Sequence, residues 1–230
     1  MAKRPVFTIS DTPPYFFEVE TEFNFSPGFS IVQKQKCIDS LHEQFLKNHN
    51  NKKVLEISSK SKEELGVKLS AFNLMVRTND NREYSVEVAF QASKVFEYGG
   101  PFKDLLNKTP REAKKDPRLR SSGRLQYFYC GNRRFELSPT TFFYNWLYVN
   151  TLSLHPELAS QLINYDAFTD IEFNPDKSLN CQARSAALYV SLYKNGLLDN
   201  VLKDRDNFLD VVYGTNIKKS DTFQQLTLWD

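Results

Sequence analysis

The stretch EYSVEVAFQASKVFE, Glu83–Glu97, decides how the chain is read. Taken as one helix at about 100° per residue, it places Glu87, Gln91 and Lys94 within about 60° of one another over about two turns. Val86, Val88, Ala89, Phe90, Ala92 and Val95 cover most of the remaining circumference. A surface helix shows the reverse, one apolar stripe and a broad polar face. A narrow polar stripe on an apolar cylinder predicts a buried helix whose stripe meets partners or lines a cleft, because unpaired buried charge is costly. A carboxylate, an amide and an amine converging in a cleft can move protons and attack a carbon. The same residues also have an ordinary structural explanation. Glu87 would sit in the first turn after a Ser85 N-cap, where the helix dipole favours an acid, and Lys94 would snorkel to water.

On the N-terminal side, VFTI and YFFEVETEFNF alternate as strands do, separated by Pro13–Pro14 and ended by Pro27–Gly28. Ile31–His49 repeats apolar residues at helical spacing, and Val54–Ile57 is a short strand. The run SSKSKEELG follows, with Ser58, Ser59 and Ser61 hydroxyls beside Lys60 and Lys62, then a helical turn stopped by Gly66. Hydroxyls, amides and amines after a strand can hold phosphate, and an ordinary capped turn explains them equally well. LSAFNLMVRT leads through a turn, TNDNR, into the central stretch.

On its C-terminal side, Gly99–Gly100–Pro101 breaks the chain. Phe102–Leu106 and Pro110–Lys115 read as short helices, the second with Thr109 as N-cap. Arg118–Gly123 reads as loop, and Leu125–Cys130 as a strand turning at Gly131–Asn132 into RRFEL. An aromatic helix TTFFYNWLYVNTL, a helix after His155–Pro156, and a strand Phe168–Phe173 follow. Ser178 is expected to cap a long amphipathic helix ended by Asn195–Gly196, before two shorter helices and a polar tail. With no internal repeat or linker, the expectation is one α+β domain over residues 1–230, mainly helical with a small, mostly antiparallel sheet.

No run approaches the roughly 18 apolar residues of a membrane span, and MAKRPVFTISD lacks the apolar core of a secretory signal. Cys37, Cys130 and Cys181 are odd in number and lack CxxC spacing, which argues for reduced thiols in a cytoplasm and against a zinc site. His42, His49 and His155 are scattered, and none is assigned to catalysis. Net charge is +2, yet Lys103–Arg134 holds ten basic residues against Asp104, Glu112 and Asp116, a local +7 that leaves −5 for the rest. Such an excess is the footprint of polyanion binding, and solvated loops are often basic too. It marks Lys114, Lys115, Arg118, Arg120 and Arg124 as candidate polyanion contacts, which become candidate DNA contacts under the resemblance that follows.

Several pieces together resemble the NADAR family, in the branch of antitoxins paired with a DarT-type toxin that ADP-ribosylates guanine in DNA. LSAFN resembles the family's LSNF stretch, SVEVAFQASK (Ser85–Lys94) its EHxFQAxK helix, and TPREAKK (Thr109–Lys115) its SPxEAKxxGR segment. HPELASQLINYDAFTDIEFN (His155–Asn174) resembles its HPxLxxxLLxTG…LVE stretch, and SLNCQARSAALYVSL occupies the place of its last helix. The resemblance runs from about residue 53 to 195, and the helix motif is its most specific piece. The chain departs from the family at RRFEL, where RPDW is usual, and at NPDKS, where WGxG is usual. Trp146 falls later than the family tryptophan and is not equated with it.

The resemblance implies a NADAR-like fold and hydrolysis of the bond between ADP-ribose and the exocyclic amino group of guanine in DNA. NAD would be the toxin's co-substrate; no cofactor or metal is implied for this chain. The implied catalytic pair is Glu87 and Lys94. Ser58, Ser59, Lys60, Ser61, Asn73, Gln91, Asp170, Glu172, Asn180 and Arg184 are the expected ADP-ribose contacts, and the toxin itself is a candidate partner. Cleaving a ribose–nitrogen bond needs a proton for the leaving nitrogen, support for positive charge at the anomeric carbon, and water. Glu87 suits the first and third tasks, with Asp170 or Glu172 able to share them. Lys94 is either a cationic clamp or an amine nucleophile forming a Schiff base, the latter needing a pKa well below about 10.4. Two other functions compete: an N-glycosidase on small phosphoribosylated riboflavin-pathway intermediates, and a non-catalytic module that sequesters a toxin.

Overall fold

The computed structural model describes residues 1–78 and 81–214. The chain opens with strands β1 (Ala2–Ile9) and β2 (Phe16–Phe23), helix α1 (Ile31–Leu46), strand β3 (Val54–Glu56) and helix α2 (Glu64–Lys68). Next come β4 (Met75–Arg77), β5 (Glu83–Ser85), helix α3 (Val86–Ala92), β6 (Lys94–Phe96) and a 3-10 turn at Lys103–Asn107. Helices α4 (Pro110–Lys115) and α5 (Arg118–Ser121) precede β7 (Leu125–Cys130) and β8 (Arg133–Phe135). Helices α6 (Phe142–Ser153) and α7 (Pro156–Leu162), strand β9 (Ala167–Thr169), and helices α8 (Gln182–Lys194), α9 (Leu198–Val201) and α10 (Arg205–Tyr213) complete it.

The fold is α+β. The main sheet has the order β2-β1-β9-β3, antiparallel except where β3 runs parallel to β9. Two smaller antiparallel sheets pair β4 with β5 and β6 with β7 and β8. Period-2 alternation sends neighbouring residues of β1 and β9 to opposite faces. Val6 and Ala167 join a small core under α1 with Ile38, Leu41 and Phe45, while Phe7 and Phe168 join the large core with α6 and α8. Helix α6 buries residues around its whole circumference, Phe142 through Val149 without a break, as a helix enclosed on all sides must.

The largest departure from the sequence reading lies in the central stretch. It is not one helix: strand β5 enters, α3 lasts seven residues, and Lys94 begins strand β6. The helix stops because the KVF segment pairs with β7, Lys94 opposite Phe128, and the Ser93 carbonyl accepts from Tyr129 at 2.7 Å. Gly66 lies inside α2 and does not stop it; a Cβ there would stand 2.0 Å from the Glu56 carbonyl oxygen. Arg118–Ser121 is a helical turn, because Pro117 and Arg118 carbonyls accept the following amides. The strand expected at Phe168–Phe173 ends at Thr169, since Asp170 and the residues after it turn. Ser178 does not cap α8; its hydroxyl donates to the Asn180 carbonyl, and α8 begins after Cys181. The turn TNDNR includes residues 79 and 80, and the polar tail is residues 215–230, all outside the described residues. Among the described residues no helix is long and apolar enough to cross a membrane.

Candidate functional site

Three sequence pieces are stapled together around α3. The Glu87 amide donates to the Ala71 carbonyl at 2.8 Å, and the Val86 amide to the Leu74 carbonyl, so the LSAFN loop holds the start of the helix. Gln182 ties the same loop to β3 and α8: its Oε1 accepts from the Ala71 amide and its Nε2 donates to the Ile57 carbonyl, both at 2.6 Å. Tyr148 of α6 donates to the Leu69 carbonyl at 2.8 Å. Ser85 caps α3 by accepting from the Val88 amide, as the sequence suggests.

These elements enclose a cavity of about 840 Å³. That volume lies toward the upper end of the range for small-molecule sites, roughly 300–1,000 Å³. Glu87, Gln91 and Lys94 all line it. Glu87 and Gln91 reach it from α3, and Lys94 from the first position of β6. Glu87 is 6% exposed; its Oε1 accepts from Gln91 Nε2 at 2.8 Å and lies 3.8 Å from the Lys114 ammonium. A carboxylate only accepts, so that contact fixes the amide's orientation. Gln91 Oε1 is then buried with no hydrogen-bond partner among the described residues, an acceptor left unsatisfied at the cavity wall.

Lys94 Nζ stands over the Phe90 ring, 4.8 Å from its centroid. Burial lowers the Lys94 pKa to about 8; Glu87 opposes the shift and Lys114 adds to it. Burial therefore outweighs the carboxylate, the point on which the sequence leaves two roles open. Across the cavity, Asp170 follows strand β9, and its Oδ1 accepts from the Glu172 amide at 3.0 Å. Its carboxyl is pushed well above the ordinary carboxylate range, first by burial and then by the Glu56 charge.

The other expected contacts divide. Ser58, Ser59, Glu172 and Asn180 line the cavity. Lys60, Ser61, Asn73 and Arg184 do not line it and serve the frame. The Lys60 amide donates to Ser58 Oγ and its carbonyl accepts from Gln35. Ser61 Oγ accepts from the Glu63 amide, and Asn73 Nδ2 donates to the Val67 carbonyl and Ser70 Oγ. Arg184 lies over Phe7 and Phe16, donates to the Leu179 carbonyl at 2.7 Å and faces Glu18.

The basic segment is less free than its composition suggests. Arg118 forks onto Asp104 and also binds Asp116, Lys108 binds Asp116, and Arg124 and Arg134 pair with Glu97 and Glu136, acids just outside the segment. Arg111, Lys115 and Arg120 are exposed and have no ion-pair partner among the described residues. Lys114, expected on the DNA face, projects over Phe72 into the cavity beside Glu87. Lys177, Tyr144 and Gln182 also line the cavity and Glu56 lies behind it, four residues not expected there from the sequence. Only Glu56 carries a sequence signal, an acid between Leu55 and Ile57 in a buried strand. Among the described residues, no group of His, Cys, Asp and Glu side chains is arranged to hold a metal ion.

No curated protein matches the chain. A family model described as the DarT1-associated NADAR antitoxin matches residues 2–222, nearly the full length, and the chain belongs to that family.

Proposed function

We propose that this antitoxin hydrolyses the N-glycosidic bond joining ADP-ribose to guanine in DNA, and so reverses its toxin's modification. The observation that carries the reading is the convergence of Glu87, the unpaired Gln91 oxygen and a lysine of lowered pKa in one cavity large enough for a dinucleotide-sized group. Ser59 and Asn180 offer a hydroxyl and an amide to the diphosphate and riboses, while the Ser58 hydroxyl is engaged by Glu56 and the Lys60 amide. Arg111, Lys115 and Arg120 supply the exposed charge for the DNA backbone.

In this reading the Lys94 amine attacks the anomeric carbon of the ADP-ribosyl group. The bond to guanine breaks, its electron pair goes to the guanine nitrogen, and that nitrogen takes up a proton. The bond from the anomeric carbon to the ring oxygen then breaks, its electron pair goes to that oxygen with a proton from the Lys94 nitrogen, and a protonated imine remains on Lys94. Water, deprotonated by Glu87, then hydrolyses the imine, which frees the amine and releases ADP-ribose. The pairing of Arg118, Arg124 and Arg134 with acids favours the second reading, a smaller phosphoribosylated substrate, because it leaves fewer cations for DNA.

Incubation with an oligonucleotide carrying ADP-ribosylated guanine is expected to release free ADP-ribose and unmodified guanine. Borohydride added during turnover is expected to trap a sugar adduct on Lys94, and Lys94→Arg to abolish release, since a guanidinium stays protonated. Tight binding with no release would replace hydrolysis with sequestration. An adduct on another lysine would move the chemistry away from β6.

A further inference from the structure

Glu56 is 2% exposed and outside the cavity lining, yet it reaches both neighbours of Asp170. Strand β3 runs parallel to β9 with Glu56 opposite Thr169. Glu56 Oε2 accepts from the Thr169 hydroxyl at 2.6 Å, the short distance of a charge-assisted O–H···O⁻ bond. Glu56 Oε1 accepts from the Ile171 amide at 2.9 Å, a group that can only donate. Ser58 adds a third donor, a second hydroxyl, to the same carboxyl. Behind Thr169, His42 Nε2 lies 2.8 Å from the same hydroxyl, and burial lowers the His42 pKa to about 4, so the ring is neutral at pH 7. A hydroxyl has one proton; with Thr169's given to Glu56, His42 must donate. The chain of donors points inward and ends on Glu56.

Asp170 has fewer donors: the Glu172 amide, 3.0 Å from its Oδ1, favours the charged form, and burial and two acids oppose it. From β3 it faces the Glu56 charge and from its own turn Glu172; from α4 Lys114 partly offsets them. Tyr144 and Tyr148 of α6 and Cys181 before α8 also face it, and burial holds all three above their ordinary values, so they add no charge. Burial raises the Glu56 carboxyl too, but the Ser58, Thr169 and Ile171 donors oppose that rise, whereas Asp170 is pushed well above its ordinary range. Of two neighbouring carboxyls, the one with more donors ionises first and the other keeps the proton.

We infer that Glu56 is a positioning residue that holds Asp170 as a carboxylic acid at the cavity wall, and that Asp170 gives its proton to the departing guanine nitrogen. This rests on the glycosidase reading above. As the bond from the anomeric carbon breaks, its electron pair goes to the nitrogen and the Asp170 proton follows. The resulting Asp170 carboxylate recovers a proton from water, directly or through Glu87, after the imine is hydrolysed.

The test is a pH titration of the Asp170 carboxyl by ¹³C NMR in the whole protein, with its resonance identified by loss in Asp170→Asn. In the wild type the midpoint is expected well above the ordinary value of about 3.9. In Glu56→Gln, which keeps the shape and removes the charge, it is expected to fall by about one pH unit or more. The alkaline limb of the rate profile on modified DNA should move the same way. A wild-type midpoint near the ordinary value overturns the inference without any variant, which covers a Glu56→Gln protein that does not fold. A raised midpoint that Glu56→Gln leaves in place overturns the role of Glu56. If both midpoints behave as expected and the wild type releases no ADP-ribose, the glycosidase reading falls and the donor role with it. If release is normal and the midpoint ordinary, only this inference falls.

Discussion

The Lys94 amine allows the most quantitative test of the cavity. Burial and Lys114 lower its pKa to about 8 against the opposing charge of Glu87. Such an amine is about one-tenth unprotonated at pH 7 and about nine-tenths at pH 9, a rise of about tenfold that ends in a plateau. A lysine at the reference value of about 10.4 rises about a hundredfold over that interval and does not level off. Trace acetylation with acetic anhydride, read peptide by peptide by mass spectrometry, follows the free amine without requiring turnover. The Lys94 peptide is expected to follow the tenfold curve with its midpoint near pH 8. Two variants test the causes separately. Lys114→Met removes a cation that repels the Lys94 ammonium, so the midpoint should rise. Glu87→Gln removes the anion that stabilises the ammonium, so it should fall. A wild-type midpoint near pH 10 would refute the claim that burial outweighs Glu87 here and leave Lys94 as a cationic clamp.

Glu87→Gln is expected to lose about 10²–10⁴-fold in ADP-ribose release with an unchanged melting temperature, since a positioned proton acceptor is worth that much and the amide keeps the shape. Reversing Lys115 and Arg120 should weaken binding of modified DNA and reduce its salt slope by roughly one per lost phosphate contact, while a modified nucleoside is cleaved as before. Lys114→Glu, beside Glu87 at 3.8 Å, should impair both substrates; a defect confined to DNA would put Lys114 back on the groove. Gly66→Ala forces a methyl against the Glu56 carbonyl at 2.0 Å and should destabilise by about 1–3 kcal/mol or more in chemical denaturation, and an unchanged midpoint would show that α2 moves freely.

Much of this is legible in the sequence where local chemistry is strong. Thr109–Pro110 with Glu112 forms the capping box of α4, and Gly131–Asn132 turns the β7–β8 hairpin. The fold class follows from such signals and from hydrophobic period. The central stretch is where period misleads. A helix through Lys94 and a helix that stops at Ala92 have the same apolar pattern, and only the partner strand β7, thirty residues on, decides between them. Lys94 still reaches the cavity, by a turn of the backbone at Ser93 and not by helical phase. Charge misleads in the same way. Arg124 and Arg134 look free within the basic segment because their acids, Glu97 and Glu136, lie outside it. Glu56 is the deepest omission: an acid in a three-residue strand gains a role only when β9 brings Thr169 and Ile171 to its two oxygens.

Two of the carboxyls lining the cavity, Glu87 and Asp170, have opposed neighbours, which is how one site gives and takes protons at one pH. Glu87 meets an amide N–H and an ammonium, and Asp170 meets Glu56 and Glu172. The two acids beside Asp170 are not equivalent. Glu172 is exposed and paired with Lys34 at 3.0 Å, so water, salt and a cation screen it. Glu56 is enclosed; burial raises its carboxyl, its hydrogen bonds oppose that rise, and any charge it carries acts through a low-dielectric interior. Glu172→Gln should therefore move the Asp170 midpoint much less than Glu56→Gln, and its effect should shrink further in high salt, while the Glu56→Gln shift should persist. Equal shifts from the two variants, or a Glu56→Gln shift that salt erases, would mean that the Asp170 proton is set from the solvent side and not from β3.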